Sequence, residues 1–238
     1  MERCYVGIDG CRQGWMYSAI RQHQVIEVGF SNRITKIWNR FHNSPLILID
    51  IPIGLSNTKT RGCDVEARKF LKPSSGSCVF PAPCREALQA KSYKEACAEN
   101  KRITGNKISR QTWNIVPKIR EGDDFLRAIP EARKKVRESH PEICFRALSE
   151  KPVGSSKKTP EGTLLRLGIL KRHLDNIEEH VLDAAIRYRR KGAALDDILD
   201  AMVLAVTAQL ANSKIFTLPQ IPKRDNKGLP MEIVYAQP

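Results

Sequence analysis

No apolar run in this 238-residue chain approaches the length of a membrane span, which excludes a membrane-spanning helix. The start of the chain leads directly into a short apolar segment without the basic and apolar regions of a signal peptide. Its seven cysteines are odd in number and include no C-x-x-C pair. That pattern argues against a disulfide framework and a zinc site, and for a reduced, cytoplasmic chain. There is no G-x-S-x-G elbow for serine chemistry and no Walker loop for a nucleotide. Internal repeats are also missing. Acidic residues are in short supply: 26 Asp and Glu stand against 40 Lys and Arg, a formal net charge of +14. Such an excess favours nucleic acid or another polyanion through phosphate neutralisation and counterion release. A solubilising surface is the plainer alternative, and Arg133, Lys134 and Lys135 fit a solvated helix face.

What the chain does have is ordinary core material, 41% hydrophobic and 28% charged, enough for one α/β domain with a sizeable insertion. Cys4 to Asp9 reads as a buried strand, and Trp15 to Ile20 and Val25 to Phe30 as an antiparallel meander with it. Ile34, Ile37, Trp38 and Phe41 recur at helical spacing. Leu46 to Ile51 is a continuous apolar run, the mark of a strand buried on both faces. Reached through a crossover helix, it should run parallel to a neighbour, most simply the first strand. Residues 55 to 135 read as a mostly helical insertion. Its helices are predicted at Arg61–Leu71, Arg85–Arg102, Ser109–Ile119 and Asp123–Val136, with a Pro/Ser/Gly loop from Lys72 to Pro83. Arg137 to Leu148 returns to a strand around Ile143 and Phe145, with Pro141 favouring an edge position. After a loop from Gly154 to Pro160, helices are predicted at Thr163–His173, Asn176–Arg190 and Leu195–Ala211, and a last strand at Met231–Tyr235.

Four aspartates stand out within this outline. Carboxylates are seldom buried unless paired or bound to metal. Asp9 ends the first strand, although Asp-Gly also suits an ordinary turn. Asp50, between Ile49 and Ile51, has no turn to make. On parallel neighbouring strands, groups at matching heights lie about 4.8 Å apart, close enough to share a cation. Asp197 and Asp200 lie three apart on an alanine- and leucine-rich helix. Capping explains Asp196 and accommodates Asp197, but Asp200 lies too far in for that duty. Glu138, His140 and Glu142 would share a face of an extended strand, with Glu142 a further ligand and His140 a ligand or proton carrier.

Among basic groups, Ser155-Ser156-Lys157-Lys158-Thr159 leads into a helix carrying Arg166 and makes a reasonable phosphate grip, or a solvated loop. Arg12, Arg61, Arg68, Arg85 and Lys118 are further substrate-binding candidates. Trp15 and Trp113 suit base stacking or the core, and Cys11 reads as a semi-buried thiol.

The chain resembles the RNase H-like fold in its order of elements, and one family in its wording. The matching segments are Gly7-Ile8-Asp9-Gly10-Cys11-Arg12, Ile49-Asp50-Ile51-Pro52-Ile53-Gly54-Leu55 and Arg61-x-Cys63-Asp64-x-x-Ala67-Arg68. They continue through Pro117-Lys118-Ile119, His140-Pro141-Glu142-x-x-Phe145, Lys157-Lys158-Thr159 and Asp196-Asp197-x-x-Asp200-Ala201 to Gly228-Leu229-x-Met231-x-Ile233. Together they are similar to domain-of-unknown-function family 429, whose members are predicted nucleases of RNase H fold. Where that family carries Glu-Val-Asp after its Pro-Lys-Ile segment, this chain has Arg120-Glu121-Gly122-Asp123. The resemblance implies an α/β fold with a mixed five-stranded sheet. It also implies Asp9 and Asp50 as strand-borne ligands of Mg²⁺ or Mn²⁺, completed by Asp197 or Asp200, and a nucleic-acid substrate, DNA or RNA. A non-catalytic nucleic-acid-binding module on the same fold is the alternative. An actin-like phosphotransferase fits less well, since neither the duplication nor the phosphate loops are present.

Overall fold

The computed structural model describes residues 3–73, 76–149 and 153–238. Ser74 and Ser75, within the expected Lys72–Pro83 loop, lie outside the described residues. Five strands form the main sheet: β1 (Tyr5–Cys11), β2 (Gly14–Arg21), β3 (Gln24–Ser31), β4 (Ile47–Asp50) and β5 (Val136–Glu138), in the order β3-β2-β1-β4-β5. The first three are antiparallel, whereas β4 runs parallel to β1 and β5 parallel to β4. This is the mixed five-stranded sheet with flanking helices that the sequence predicts.

Period-two alternation divides the sheet's side chains between two apolar layers. Val6, Ile8, Trp15, Tyr17, Ile47 and Ile49 point to the layer covered by α1 (Ile34–Phe41) and α4 (Arg110–Ala128). Tyr5, Cys11, Met16, Ile20 and Leu48 point the other way. There they meet α6 (Pro141–Ser149), α7 (Pro160–Lys171), α8 (Ile177–Tyr188) and α9 (Leu195–Leu210). α9 is buried at every position from Ile198 to Ala208, so no polar face had to be kept for solvent. It lies so close over β1 that a Cβ on Gly7 would collide with the Ala201 carbonyl and the Ala205 amide. Glycine under a small-residue stripe therefore sets the height of the helix above the strand ends.

Between β4 and β5 come α2 (Gly62–Phe70), α3 (Tyr93–Thr104), α4 and the short α5 (Ala132–Lys135). α3 is capped by the Ser92 hydroxyl, which accepts from the Glu95 amide, and a 3₁₀ turn at Glu86–Gln89 precedes it. One helix expected over Arg85–Arg102 is thus two pieces. Conversely, the two helices expected at Ser109–Ile119 and Asp123–Val136 are largely one. α4 runs through Pro117, and its buried stripe of Val116, Ile119, Phe125 and Leu126 outweighs the hydrogen bond that proline removes.

The strand expected over Arg137–Leu148 is the clearest correction. It ends at Glu138, and Pro141 opens α6 instead of edging a strand. Proline suits the first turn of a helix, where its missing N–H costs nothing. Ile143, Cys144, Phe145, Ala147 and Leu148 are then all buried. Residues 138, 140 and 142 consequently do not share a strand face. A second, two-stranded sheet joins β6 (Phe216–Arg224), which the sequence reading missed, to β7 (Pro230–Tyr235).

Candidate functional site

The strand register places Asp9 directly opposite Asp50. Both share the parity of Tyr5 and Leu48, so they face the layer that holds α9, from which Asp200 descends. One cavity of about 760 Å³ is lined by Asp9, Asp50 and Asp200 together with Glu142, Glu138 and His140. Asp9 is 6% and Asp200 1% exposed. Three carboxylates from three elements, up to 191 positions apart in sequence, thus converge in one depression.

The electrostatics are those of crowded acids. Burial, then Asp50, Asp200 and Asp197, hold the Asp9 carboxyl well above its ordinary range. Burial also lifts Asp50, against the pull of His140 and Lys157. Asp200 is pushed up to about 7 by burial, against Lys157, with Asp50 and Glu142 adding to the rise. Asp197 does not line the cavity: its Oδ2 accepts the Ala194 amide at 2.8 Å, fixing the start of α9.

Lys157 is the cation these acids hold. Its Nζ donates to Asp200 Oδ2 at 2.6 Å and lies 3.6 Å from Asp196 Oδ2. Burial works against the ammonium, but Asp200, Asp9 and Asp196 outweigh it and raise its pKa. Arg166 anchors the loop that delivers Lys157. Buried beside Phe145, it donates to the Ser155 carbonyl at 3.1 Å and to Glu142 Oε1 at 2.7 Å. Glu142 therefore reaches the cavity already engaged. The Thr159 hydroxyl caps α7 by accepting the Gly162 amide at 3.2 Å.

The remaining predicted basic residues divide by location. Lys158 is exposed and lines the cavity. Lys118 lines it too, donating to the Gly14 carbonyl at 2.5 Å and lying over the Trp15 ring, with its pKa lowered by burial. Arg61 forms part of the wall but is 2% exposed, with its guanidinium between Asp64 and Glu138. Arg85 pairs with Asp123 and Asp225, and neither Arg85 nor the exposed Arg12 lines the cavity. Arg68, exposed, donates to the Gly76 carbonyl. Trp15 is fully buried and gives its indole N–H to Glu121; Cys11 is likewise buried. The sequence reading missed the part of Asp64, whose i+3 spacing from Arg61 was the available signal.

The donor set suits a hard divalent cation, which takes oxygen ligands. Asp200 Oδ1 is buried without a hydrogen-bond partner among the described residues, as an oxygen reserved for a ligand would be. As placed, the acids close on Lys157, and no group of three or more His, Cys, Asp or Glu side chains among the described residues is gathered at metal-binding separations. Asp9, Asp50 and Asp200 would hold such an ion, with Glu142 and Asp197 behind them.

A family model described as protein of unknown function (DUF429) matches residues 7–224, and the chain belongs to that family. No curated protein and no solved structure matches significantly.

Proposed function

We propose that this member of the DUF429 family is a metal-dependent nuclease of RNase H-like architecture, hydrolysing phosphodiester bonds in DNA or RNA. The observation that supports it most is the convergence of Asp9, Asp50 and Asp200 in one cavity beside Lys157 and Lys158. Asp9, Asp50 and Asp200 would hold Mg²⁺ or Mn²⁺, which when bound would supply the Lewis acidity to activate water and stabilise the leaving oxygen. The chain's own residues supply the rest. Asp9 and Asp50 come from adjacent strand ends, so their spacing is fixed by the sheet and costs little ordering when a ligand arrives. Lys157, released from Asp200, and the exposed Lys158 would neutralise phosphates of the bound strand. Arg166 acts on the loop, holding Ser155 and Glu142 so that Lys157 enters from one direction.

The test is incubation with labelled single-stranded, duplex and branched DNA and RNA plus Mn²⁺. Cleavage by the wild-type protein and none by Asp50→Asn or Asp9→Asn is expected, with binding largely retained. Activity surviving in both variants would reject the mechanism. The ion pair between Lys157 and Asp200 favours a second reading, a binding module whose acids need only that ammonium. In that case Mn²⁺ would leave the melting temperature unchanged, whereas a site for the ion predicts stabilisation by ligand linkage.

A further inference from the structure

The outer face of α8 carries an apolar pair that the fold leaves uncovered. Its inner face is accounted for: Ile177 and Ala184 are buried, and Val181, Ala185 and Tyr188 pack against the layer under α9. On the opposite side Leu182 is 64% and Ile186 71% exposed, among the most exposed large apolar side chains described. They are four residues apart and therefore stack one turn above the other. Charge is segregated along the same stripe. Glu178 and Glu179 precede the pair, and Arg189 and Arg190 follow it. At about 100° per residue, Glu178, Glu179, Leu182 and Ile186 lie within roughly 60° of the direction opposite Ala184, and Arg189 and Arg190 are exposed in the 3₁₀ turn Arg189–Lys191 that follows the helix.

That pattern is complementary to itself when reversed. A two-fold axis through the level of Ala184 pairs Leu182 with Ile186 of a second copy, Glu178 with Arg190, and Glu179 with Arg189. Every charged position then meets its opposite sign, and the apolar pair is sealed between two ionic ends. A parallel arrangement would instead put like charges together at both ends. Isologous contacts of this kind are the usual route to a dimer. The existing partners do not block it: Glu178 pairs with Lys171, and Arg187 with Asp183, in exposed pairs that contribute little and exchange readily. We infer that the outer face of α8 is the interface of a homodimer, two copies packing antiparallel across Leu182 and Ile186. This inference is independent of the proposed chemistry.

Sedimentation velocity on the full chain, up to concentrations on the order of 100 μM, tests it. The wild type should shift from monomer to dimer as concentration rises, and Ile186→Glu or Leu182→Glu should stay monomeric with an unchanged circular dichroism spectrum. Charge reversal fixes the register. A chain with both ends exchanged (Glu178→Arg, Glu179→Arg, Arg189→Glu and Arg190→Glu) should dimerise with itself but not with the wild type, whereas a parallel pair would form only when the two chains are mixed. A wild type that stays monomeric throughout, or a dimer indifferent to Ile186→Glu, overturns the proposal. Failure of the exchanged chain to self-associate, or its pairing with the wild type, overturns the antiparallel register.

Discussion

Replacing Arg61 by Met should destabilise the protein far more than loss of a surface charge would. The guanidinium joins α2, the segment after β4, and the end of β5. It donates to Asp64 Oδ1 at 2.5 Å, to both oxygens of Glu138 at 2.8 Å, and to the carbonyls of Ile53 and Gly54 at 2.9 and 3.2 Å. Methionine keeps much of the length and removes every donor. Asp64 would then retain the Ala82 amide and the weak Cys63 thiol donor, and Glu138 the Ile53 amide. Stranding buried charges by deleting their partner costs about 3–5 kcal/mol, and that is the expected loss in urea unfolding followed by tryptophan fluorescence. The pH dependence makes the test specific. Burial pushes the Glu138 carboxyl from 4.5 up to about 7, against the opposing pull of Arg61. A carboxyl raised in the folded state binds more protons folded than unfolded, so stability falls as pH rises from 4.5 through 7. Without Arg61 the folded carboxyl climbs further, and the deficit of Arg61→Met should be larger at pH 8 than at pH 5. Adding Glu138→Gln should recover part of it. A deficit below about 1 kcal/mol at pH 8, against the 3–5 expected, would refute the reasoning, as would further loss on adding Glu138→Gln.

Four other outcomes are expected. Asp9→Asn should raise the melting temperature of the metal-free protein at pH 8 but not near pH 4, because the Asp9 carboxyl is held up by burial and its acid neighbours. The ionisation cost it relieves is incurred only as pH rises; a lower melting temperature at pH 8 would mean that the acids do not repel. Lys157→Met should lower the metal-free melting temperature, since Asp200 loses its 2.6 Å partner, and should enlarge the stabilisation by Mn²⁺. Gly7→Ala should cost at least about 2 kcal/mol through overpacking against the α9 backbone. By contrast Gly168→Ala, in α7 with open space around its Cβ, should gain about 0.5–1 kcal/mol in the same denaturant assay.

Legibility followed physical constraint. Asp9 and Asp50 could be paired from sequence because each interrupts an apolar run on a buried strand, and a crossover helix between them demands parallel neighbours. α6 was misread because Ile143 and Phe145 alternate like a strand over too few residues to reveal a helical period. β6 contains Pro219 and Pro222 and is buried at none of its positions, so neither alternation nor composition marked it. The expected break between Ile119 and Asp123 is absent, because α4 continues through Gly122 to Ala128 and buries Ile119, Gly122, Asp123 and Phe125 on one side. None of these errors moved the central acids, whose placement depends on β1, β4 and α9 alone.

The partners of the basic residues were the least readable feature, because the sign of a charge is local whereas its counter-ion comes from the fold. Arg61, Arg85 and Arg166 read as phosphate contacts, yet each faces inward to acids: Asp64 and Glu138, Asp123 and Asp225, and Glu142. Their withdrawal does not weaken the case for a polyanionic partner. The three arginines take five carboxylates inside with them, and Asp9 and Asp200 are buried as well. More negative than positive charge is therefore removed from the surface, leaving the exterior more basic than the +14 of the whole chain implies. Folding gathers Asp9, Asp50, Asp200 and Glu142 in the cavity, together with Lys118, Lys157 and Lys158. A polyanion drawn by the exterior would meet the cavity's buried acids at the place where Lys157 already pairs with Asp200.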